Sequence, residues 1–317
     1  MDDSLAPEDR RVLIVGTGAL ATLFAWRLAR AGCRVSMLGT WQAGLQALRS
    51  GGARLVDAQG REQTAPVEVI EQPEQARGAP RALVLVKSWQ TRRAAEALAR
   101  CLAPGGLALT LQNGLGNYET LAGALGPQRA ALGSTTAGAT LLGPGLVKPA
   151  GNGGVSIQSG VQTGGLPAML EAAGFGVHLV PDAQALVWGK LVVNSAINPL
   201  TALLGVPNGE LVRRPAARAL MRALAGETAA VAAAEGAGLG FDDPAAFVEQ
   251  VARETSANYS SMLQDVRRGA PTEIDAISGA IVRAARRRGL SAPLNEACWQ
   301  LVTALVEASV EKTGAAA

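Results

Sequence analysis

The chain has 317 residues, 48% hydrophobic and only 3% aromatic, with 29 basic and 26 acidic side chains and a net charge of +3. That length allows two domains with full cores, and a small charge spread without a basic block argues against a nucleic-acid surface. Cys33, Cys101 and Cys298 are odd in number and far apart, in neither metal nor redox spacing, which argues against a disulfide framework and for a reduced, cytoplasmic protein.

The start, MDDSLAPEDRR, is acidic and lacks the basic flank and apolar core of a signal peptide, so export is not expected. RVLIVG (11–16) then reads as a buried strand, ALATLFAWRLARAG (19–32) as an amphipathic helix stopped by Gly32, and RVSMLG (34–39) as a second strand. Together they make a βαβ unit. A short helix at 42–50 and extended segments at 53–57 and 65–70 lead to the apolar strand RALVLVK (81–87), which ends on Lys87. A helix at 91–102, a turn at APGG (103–106) and the strand LALTLQNG (107–114) continue the alternation, so the first half is expected to be an open parallel sheet.

From 129 to 180 the chain is rich in Gly, with β-like pieces AALGSTTAGAT, GGVSIQ and GVHLV that suggest the far edge of that sheet. After Asp182 nearly everything reads as helix, broken at GVPNGE, GLGFDDP, RGAPTE and RRGLSAP. The expected fold is therefore α/β. A Rossmann-type parallel-sheet domain spans 1–181 and an all-helical domain spans 182–317. The Ala-rich segment near 225–240 is interrupted by Glu227 and Glu235 and falls short of a membrane span. The tail TGAAA is expected to fray.

Between the first strand and its helix lies GTGALA, residues Gly16, Thr17, Gly18, Ala19, Leu20 and Ala21, in G-x-G-x-x-A spacing. The glycines permit a tight turn and close backbone approach to a pyrophosphate, which rests on helical N–H groups. The bare pattern is weak in a chain with 38 glycines, but its place between strand and helix is what dinucleotide binding requires. The second strand should end on an acid for a free ribose 2′-hydroxyl or an arginine for a 2′-phosphate. Instead MLGTWQ offers Thr40 and Gln42, which can hydrogen-bond either form and leave NADP and NAD open.

His178 is the one histidine and sits in a β-like piece, as a structural residue. Neither a short-chain-dehydrogenase Tyr and Lys pair, a phosphate-binding GKS or GKT, nor a serine elbow occurs. Proton transfer therefore falls to lysine, acid or water, and lysine gives up a proton near neutrality where arginine does not. There are four lysines against 25 arginines. Lys87 should face the carboxyl edge of the sheet, unless it is an edge charge holding the next helix. Lys190, Asn194 and Asn198, spaced by four, line one face of an otherwise apolar helical run ending at Pro199. That stripe is either a core polar network or the wall of a site. Asn113 is a crevice residue or a turn asparagine. Glu273, after a Thr272 N-cap, is a site acid or a complement to a helix dipole.

GTGALA, VKSWQT, LQNGLGN, GPGLVKPAGNG, WGKLVVNSAINPLTAL, NYSSMLQDVRRGAPTEID and RRGLSAPLNE stand in the order and at the separations of the ketopantoate reductase (2-dehydropantoate 2-reductase) family, which the chain resembles over nearly its whole length. The resemblance implies a Rossmann domain and a helical domain flanking an active site. It implies NADPH-dependent reduction of 2-dehydropantoate to (R)-pantoate, on the way to pantothenate. By the same resemblance Lys190 is the general acid and Glu273 the acid that hydrogen-bonds within the site. Asn113, Asn194, Asn198, Asn258 and Ser261 fall at substrate positions, and Lys87 beside cofactor and substrate; Asn113 also borders the cofactor. Thr40 departs from the basic residue common in NADPH-using members, which opens an NAD(H)-dependent D-2-hydroxyacid dehydrogenase on the same scaffold as the alternative. The expected partner is a small 2-oxo acid, with no metal and no membrane, in a homodimer by family analogy.

Overall fold

A computed structural model describes residues 10–151 and 153–314. The acidic start MDDSLAPED, Asn152 and residues 315–317 of the tail lie outside the described residues. The chain divides into two compact units. One runs up to Gln112 and resumes with Asn117–Ala183; the other combines Asn113–Gly116 with the chain from Gln184 onward. The excursion of four residues into the second unit has no counterpart in a reading of two consecutive domains.

The first unit opens with strand β1 (Arg11–Val15), helix α1 (Ala19–Arg30) and strand β2 (Arg34–Leu38). Alternate residues of β1 feed opposite cores, as strand geometry dictates. Val12 and Ile14 pack with Phe24 and Leu28 of α1, while Leu13 and Val15 face Ala94 and Leu98 on the other side. Burial of both faces explains why β1 is apolar throughout. Phe24 stacks on Phe175 with centroids 4.2 Å apart, which fixes α1 against the far side of the unit.

Helix α2 (Gln42–Gly51) and strands β3 (Ala53–Val56), β4 (Glu62–Ala65), β5 (Glu68–Ile70) and β6 (Ala79–Val84) follow. Then come α3 (Thr91–Cys101), β7 (Leu102–Thr110), α4 (Asn117–Leu125), β8 (Ala130–Thr135), β9 (Ala139–Gly143), β10 (Leu146–Pro149), β11 (Val155–Gln158), α5 (Leu166–Ala172) and β12 (Val177–Val180). Among the described residues eight strands form one sheet in the order β12-β11-β8-β7-β6-β1-β2-β5. Neighbours are parallel except β11 with β8. Val15 is in register with Leu38 and Val84, and Val84 with Thr110, so the loops after β1, β2, β6 and β7 leave one edge together.

Several details differ from the sequence expectation. The strand RALVLVK stops at Val84, three residues before Lys87, because the chain turns at the sheet edge. APGG lies within the bounds of β7 and still turns: Leu102 stands opposite Ala79 and Leu107 opposite Arg81, so the four residues fold out of the ladder and Gly106 returns to within 3.1 Å of the Ala103 nitrogen, measured from a Cβ built on it. AALGSTTAGAT splits between two sheets, since β9 joins β10, β3 and β4 in a second sheet of four strands. That small sheet packs on α1 through Leu23, Leu55 and Val147.

The second unit is helical: α6 (Ala183–Leu204), α7 (Asn208–Arg213), α8 (Pro215–Ala234), α9 (Pro244–Glu254), α10 (Ser261–Arg267), a π-helical turn (Asp275–Gly279), α11 (Ala280–Arg287) and α12 (Pro293–Gly314). Helix α12 continues two residues into the tail expected to fray. Pro199 lies inside α6, which runs on to Leu204. Trp188 and Leu191 of α6 enter one core; Val192, Ala196, Ile197 and Leu200 enter another. Glu227 of α8 accepts from the backbone N–H groups of Leu294 and Asn295 at 3.0 and 2.8 Å, an anion at the positive end of α12. Among the described residues no helix is long and apolar enough to cross a membrane.

Candidate functional site

The first unit builds a cradle at the carboxyl edge of its sheet. Gly16 has φ +130°, its N–H donates to the Leu38 carbonyl at 2.8 Å, and a Cβ there would lie 3.0 Å from the Leu85 carbonyl oxygen. Only glycine fits where three strands converge. Thr17 is buried, and a Cβ on Gly39 would come within 2.6 Å of its Cγ2, so the two loops interlock. Gly18 precedes α1 in extended conformation, and a Cβ there would meet nothing within 4 Å. Ala21 is fully buried at the helix and sheet contact.

The first backbone bond of α1 runs from Thr22 N–H to the Gly18 carbonyl at 2.9 Å, so the N–H groups of Ala19, Leu20 and Ala21 precede the helical ladder. No side chain caps this end and its first turn carries no acid. An open approach at Gly18 and a set of backbone donors at a positive helix end fit the diphosphate of a dinucleotide. Thr40 is exposed just beyond β2.

Gln112 braces the segment bearing Lys87. Its Nε2 donates to the Val86 carbonyl at 2.9 Å and to Thr91 Oγ1 at 2.8 Å, and Thr91 Oγ1 lies 2.7 Å from Asn117 Oδ1. Lys87 is half-buried, directly before a short 3-10 turn at Ser88–Gln90. Sequence reading passed over Gln112, Thr91 and Asn117. Their signal was position alone: Gln112 beside Asn113, and Asn117 at the end of LQNGLGN.

The second unit gathers a polar set. Lys190, Asn194 and Asn198 follow one another at successive turns of α6. Among the described residues the side-chain amides of Asn194 and Asn198 form no hydrogen bond, although Asn198 is 7% exposed. Thr201, one turn beyond Asn198, donates to Ser260 Oγ at 2.7 Å, and Ser260 Oγ in turn accepts from Leu263 N–H at 3.1 Å, capping α10. The Asn258 carbonyl accepts from Asn208 N–H at 3.0 Å. These bonds seat Asn258 and Ser261, both exposed, beside the end of α6. Thr201 was not singled out in the sequence, and Ser260 stood there as one of several polar residues of NYSSMLQDVRRGAPTEID with no role of its own; their work is to seat the loop.

Glu273 does not begin a helix capped by Thr272. It lies two residues ahead of the π-helical turn, 6% exposed, and its Oε2 accepts from Asn113 Nδ2 at 3.2 Å. Burial pushes the Lys190 ammonium down to about 8, and the negative charge of Glu273 opposes that fall. A lysine held near neutrality beside a buried carboxylate can both carry charge and release a proton.

The ketopantoate reductase PanE/ApbA family model matches residues 12–162, and that family's C-terminal model matches residues 182–306. The chain belongs to the ketopantoate reductase family. It is 34% identical over 297 residues to the 2-dehydropantoate 2-reductase of Halobacterium salinarum, covering 92% of this chain and 97% of that one. The crystal structure of a PanE/ApbA family ketopantoate reductase from Ralstonia eutropha superposes with TM-score 0.87 at 34% identity, over 94% of this chain and 99% of that one. The ternary structure of D-mandelate dehydrogenase with NADH and anilino(oxo)acetate gives 0.88 at 26% identity, with the same coverage. Family membership makes the chain an oxidoreductase acting on CH–OH groups, of the 2-dehydropantoate 2-reductase type, that uses a nicotinamide cofactor.

Proposed function

We propose that the chain reduces 2-dehydropantoate to (R)-pantoate with NADPH, a step in pantothenate biosynthesis. The observation that carries this is the polar set of the second unit: Lys190 coupled to Glu273, Glu273 bonded to Asn113, and two asparagine amides on the Lys190 stripe that bond to no group among the described residues. A core network would have bonded those amides, since buried amides are ordinarily satisfied within the protein. Amides left open suit a substrate.

Gly16 to Ala21 would hold the diphosphate, with Thr40 at the adenine ribose and Lys87 and Asn113 toward the nicotinamide end. The bound cofactor supplies hydride. Lys190 stabilises the charge that develops on the ketone oxygen and gives that oxygen its proton, which completes the hydroxy acid. Glu273 keeps Lys190 charged and oriented, and Asn113 holds Glu273. Asn194, Asn198, Asn258 and Ser261 supply neutral hydrogen bonds for the carboxylate and hydroxyl of the substrate, so the lysine is not neutralised by them.

A second reading, an NAD(H)-dependent D-2-hydroxyacid dehydrogenase, is favoured by Thr40 and by the likeness to D-mandelate dehydrogenase with NADH. Thr40 repels neither form of the ribose; the relatives named 2-dehydropantoate 2-reductase support the substrate of the first reading, and its NADPH rests on the family resemblance. Initial rates with NADPH and NADH, each against 2-dehydropantoate and a bulky aromatic 2-oxo acid, separate the two. Fastest turnover of the aromatic acid with NADH would overturn the first reading. The reading includes a homodimer by family analogy, which sedimentation of the purified enzyme tests, and a cytoplasmic location from the three scattered cysteines, which cell fractionation tests.

A further inference from the structure

The loop Asn113–Gly116 belongs to the second unit although its neighbours on both sides belong to the first. Leu115 packs on the core of that unit, and the loop rests closely on Ala276. Leu115 N–H donates to the Ala276 carbonyl at 3.0 Å. Gly114 has φ +84°, and a Cβ on it would fall 2.4 Å from the Ala276 oxygen and 2.8 Å from both the Ala276 carbonyl carbon and its Cβ. The glycine is needed twice over, for its dihedral angle and for its closeness to Ala276.

Ala276 sits in the π-helical turn that follows Glu273. Gly279 N–H reaches back five residues to the Ile274 carbonyl at 3.1 Å, while Ile277 N–H bonds the Glu273 carbonyl at 3.1 Å. The widened turn leaves Ser278 Oγ buried without a partner among the described residues. An orphaned hydroxyl is unfavourable, and such turns are most often kept where they serve a site. This one is clamped: Arg283 bonds both the carboxylate and the carbonyl of Asp275, and Gly279 lies so close under Trp299 that a Cβ would be 2.9 Å from its ring.

We propose that Gly114 is a positioning residue, whose seat against Ala276 of the π-helical turn sets where the Asn113 amide meets Glu273 and so governs proton transfer from Lys190. This rests on the reading of Lys190 as the acid and Glu273 as its partner. Gly116 supplies the internal contrast. It shares the loop and a positive φ of 88°, but a Cβ there meets nothing within 4 Å. Gly116→Ala therefore carries the backbone strain without the displacement.

The test compares full-length Gly114→Ala and Gly116→Ala with wild type in the reduction of 2-dehydropantoate. Gly114→Ala is expected to lower kcat by about 10- to 100-fold, the scale of a misplaced catalytic group, with KM for the dinucleotide unchanged and faster hydrogen exchange at the Leu115 amide. Gly116→Ala is expected to lower the melting temperature through backbone strain alone, less than Gly114→Ala does, while kcat stays near wild type. Equal kcat losses in the two variants, or an undiminished kcat in Gly114→Ala, overturn the proposal. Should Gly114→Ala fail to fold, Leu115→Pro removes the N–H donated to Ala276 and, through the restriction a proline places on the residue before it, shifts Gly114 from its seat without adding a Cβ there; a lowered kcat at constant dinucleotide KM supports the proposal, and an unchanged kcat overturns it. If Lys190→Ala abolishes turnover while Gly114→Ala is silent, the acid stands and the positioning role falls. If Lys190→Ala turns over normally, the acid itself is wrong.

Discussion

Asn113 donates its side-chain amide to Glu273 across 160 residues of sequence and 3.2 Å of space. The bond joins a loop at the end of the fifth parallel strand in chain order to a carboxylate beside a π-helical turn. It also leaves Glu273 with an oxygen held in place while its charge acts on Lys190. Burying a charge is costly unless it is hydrogen-bonded. Asn113→Ala is therefore expected to weaken turnover more than binding, by about 10-fold or more in kcat, the scale set by loss of a hydrogen bond to a charged group; steady-state kinetics with saturating dinucleotide measures it.

Lys190→Ala removes both the charge facing the ketone oxygen and the proton it needs. A positioned general acid contributes about 10²- to 10⁴-fold, so kcat is expected to fall within that range while the circular dichroism spectrum keeps its wild-type form. Lys190→Arg keeps a charge but offers a guanidinium that does not release its proton near neutrality, and it is expected to recover less than a tenth of the rate. Wild-type turnover in Lys190→Ala would remove the residue from the mechanism.

The rate should depend on pH through the same lysine. Below about 8 the ammonium is protonated and can donate; as pH rises through that value the donor form is lost, so reduction falls on the alkaline side. Glu273→Gln withdraws the negative charge that holds the proton on Lys190, and the alkaline limb of kcat/KM should move to lower pH. A limb that stays in place in Glu273→Gln would mean that another group titrates. In the oxidation direction the neutral amine is the base, and the profile should be reversed.

Local pattern made much of this legible. The strand β1, the helix α1 and the glycine turn between them follow from apolar periodicity and spacing, and the stripe Lys190, Asn194, Asn198 follows from the helical repeat, even though the helix continues past Pro199. What was not legible depends on contacts distant in sequence. Glu273 looks like a first-turn helix acid until the π-helical turn displaces it from that role, and nothing in PTEID announces a five-residue bond. The small second sheet escaped because β3 pairs with β10 some ninety positions later. Gln112 was hidden because a glutamine bracing two loops has no sequence signature, only neighbours.

Thr40 is exposed beyond β2, and its sequence neighbours Gly39, Trp41 and Gln42 carry no charge. Thr40→Arg introduces a guanidinium that can bond a 2′-phosphate through two donors. The ratio of kcat/KM for NADPH over NADH is expected to rise by about 10-fold or more, since a charged hydrogen bond contributes roughly 1.5–3 kcal/mol, with most of the change in KM. No change in that ratio would place the adenine ribose away from this loop.

Glu249 of α9 is the stabilising counterpart to the reactive lysine. Its side chain is 4% exposed and receives Arg218 at 2.6 and 2.7 Å, Arg222 at 2.8 Å and Arg253 at 2.8 Å, tying α8 to α9. The hydrogen bonds from Arg218, foremost among these, hold its carboxyl down to about 2. Glu249→Gln leaves three arginines around a neutral amide. The arginines are half exposed and screened by solvent, so the loss is expected to be roughly 2 kcal/mol, below the 3–5 kcal/mol of a fully buried pair. A carboxyl depressed on folding stabilises the protein above its unfolded pKa near 4.5 and loses that contribution as pH falls toward 2. The difference in unfolding free energy between wild type and Glu249→Gln should therefore be constant above about pH 5 and close between 4.5 and 2, while kcat is unaltered. Urea melts at a series of pH values decide it, and a gap that persists at pH 2 would show that packing rather than charge holds α8 to α9.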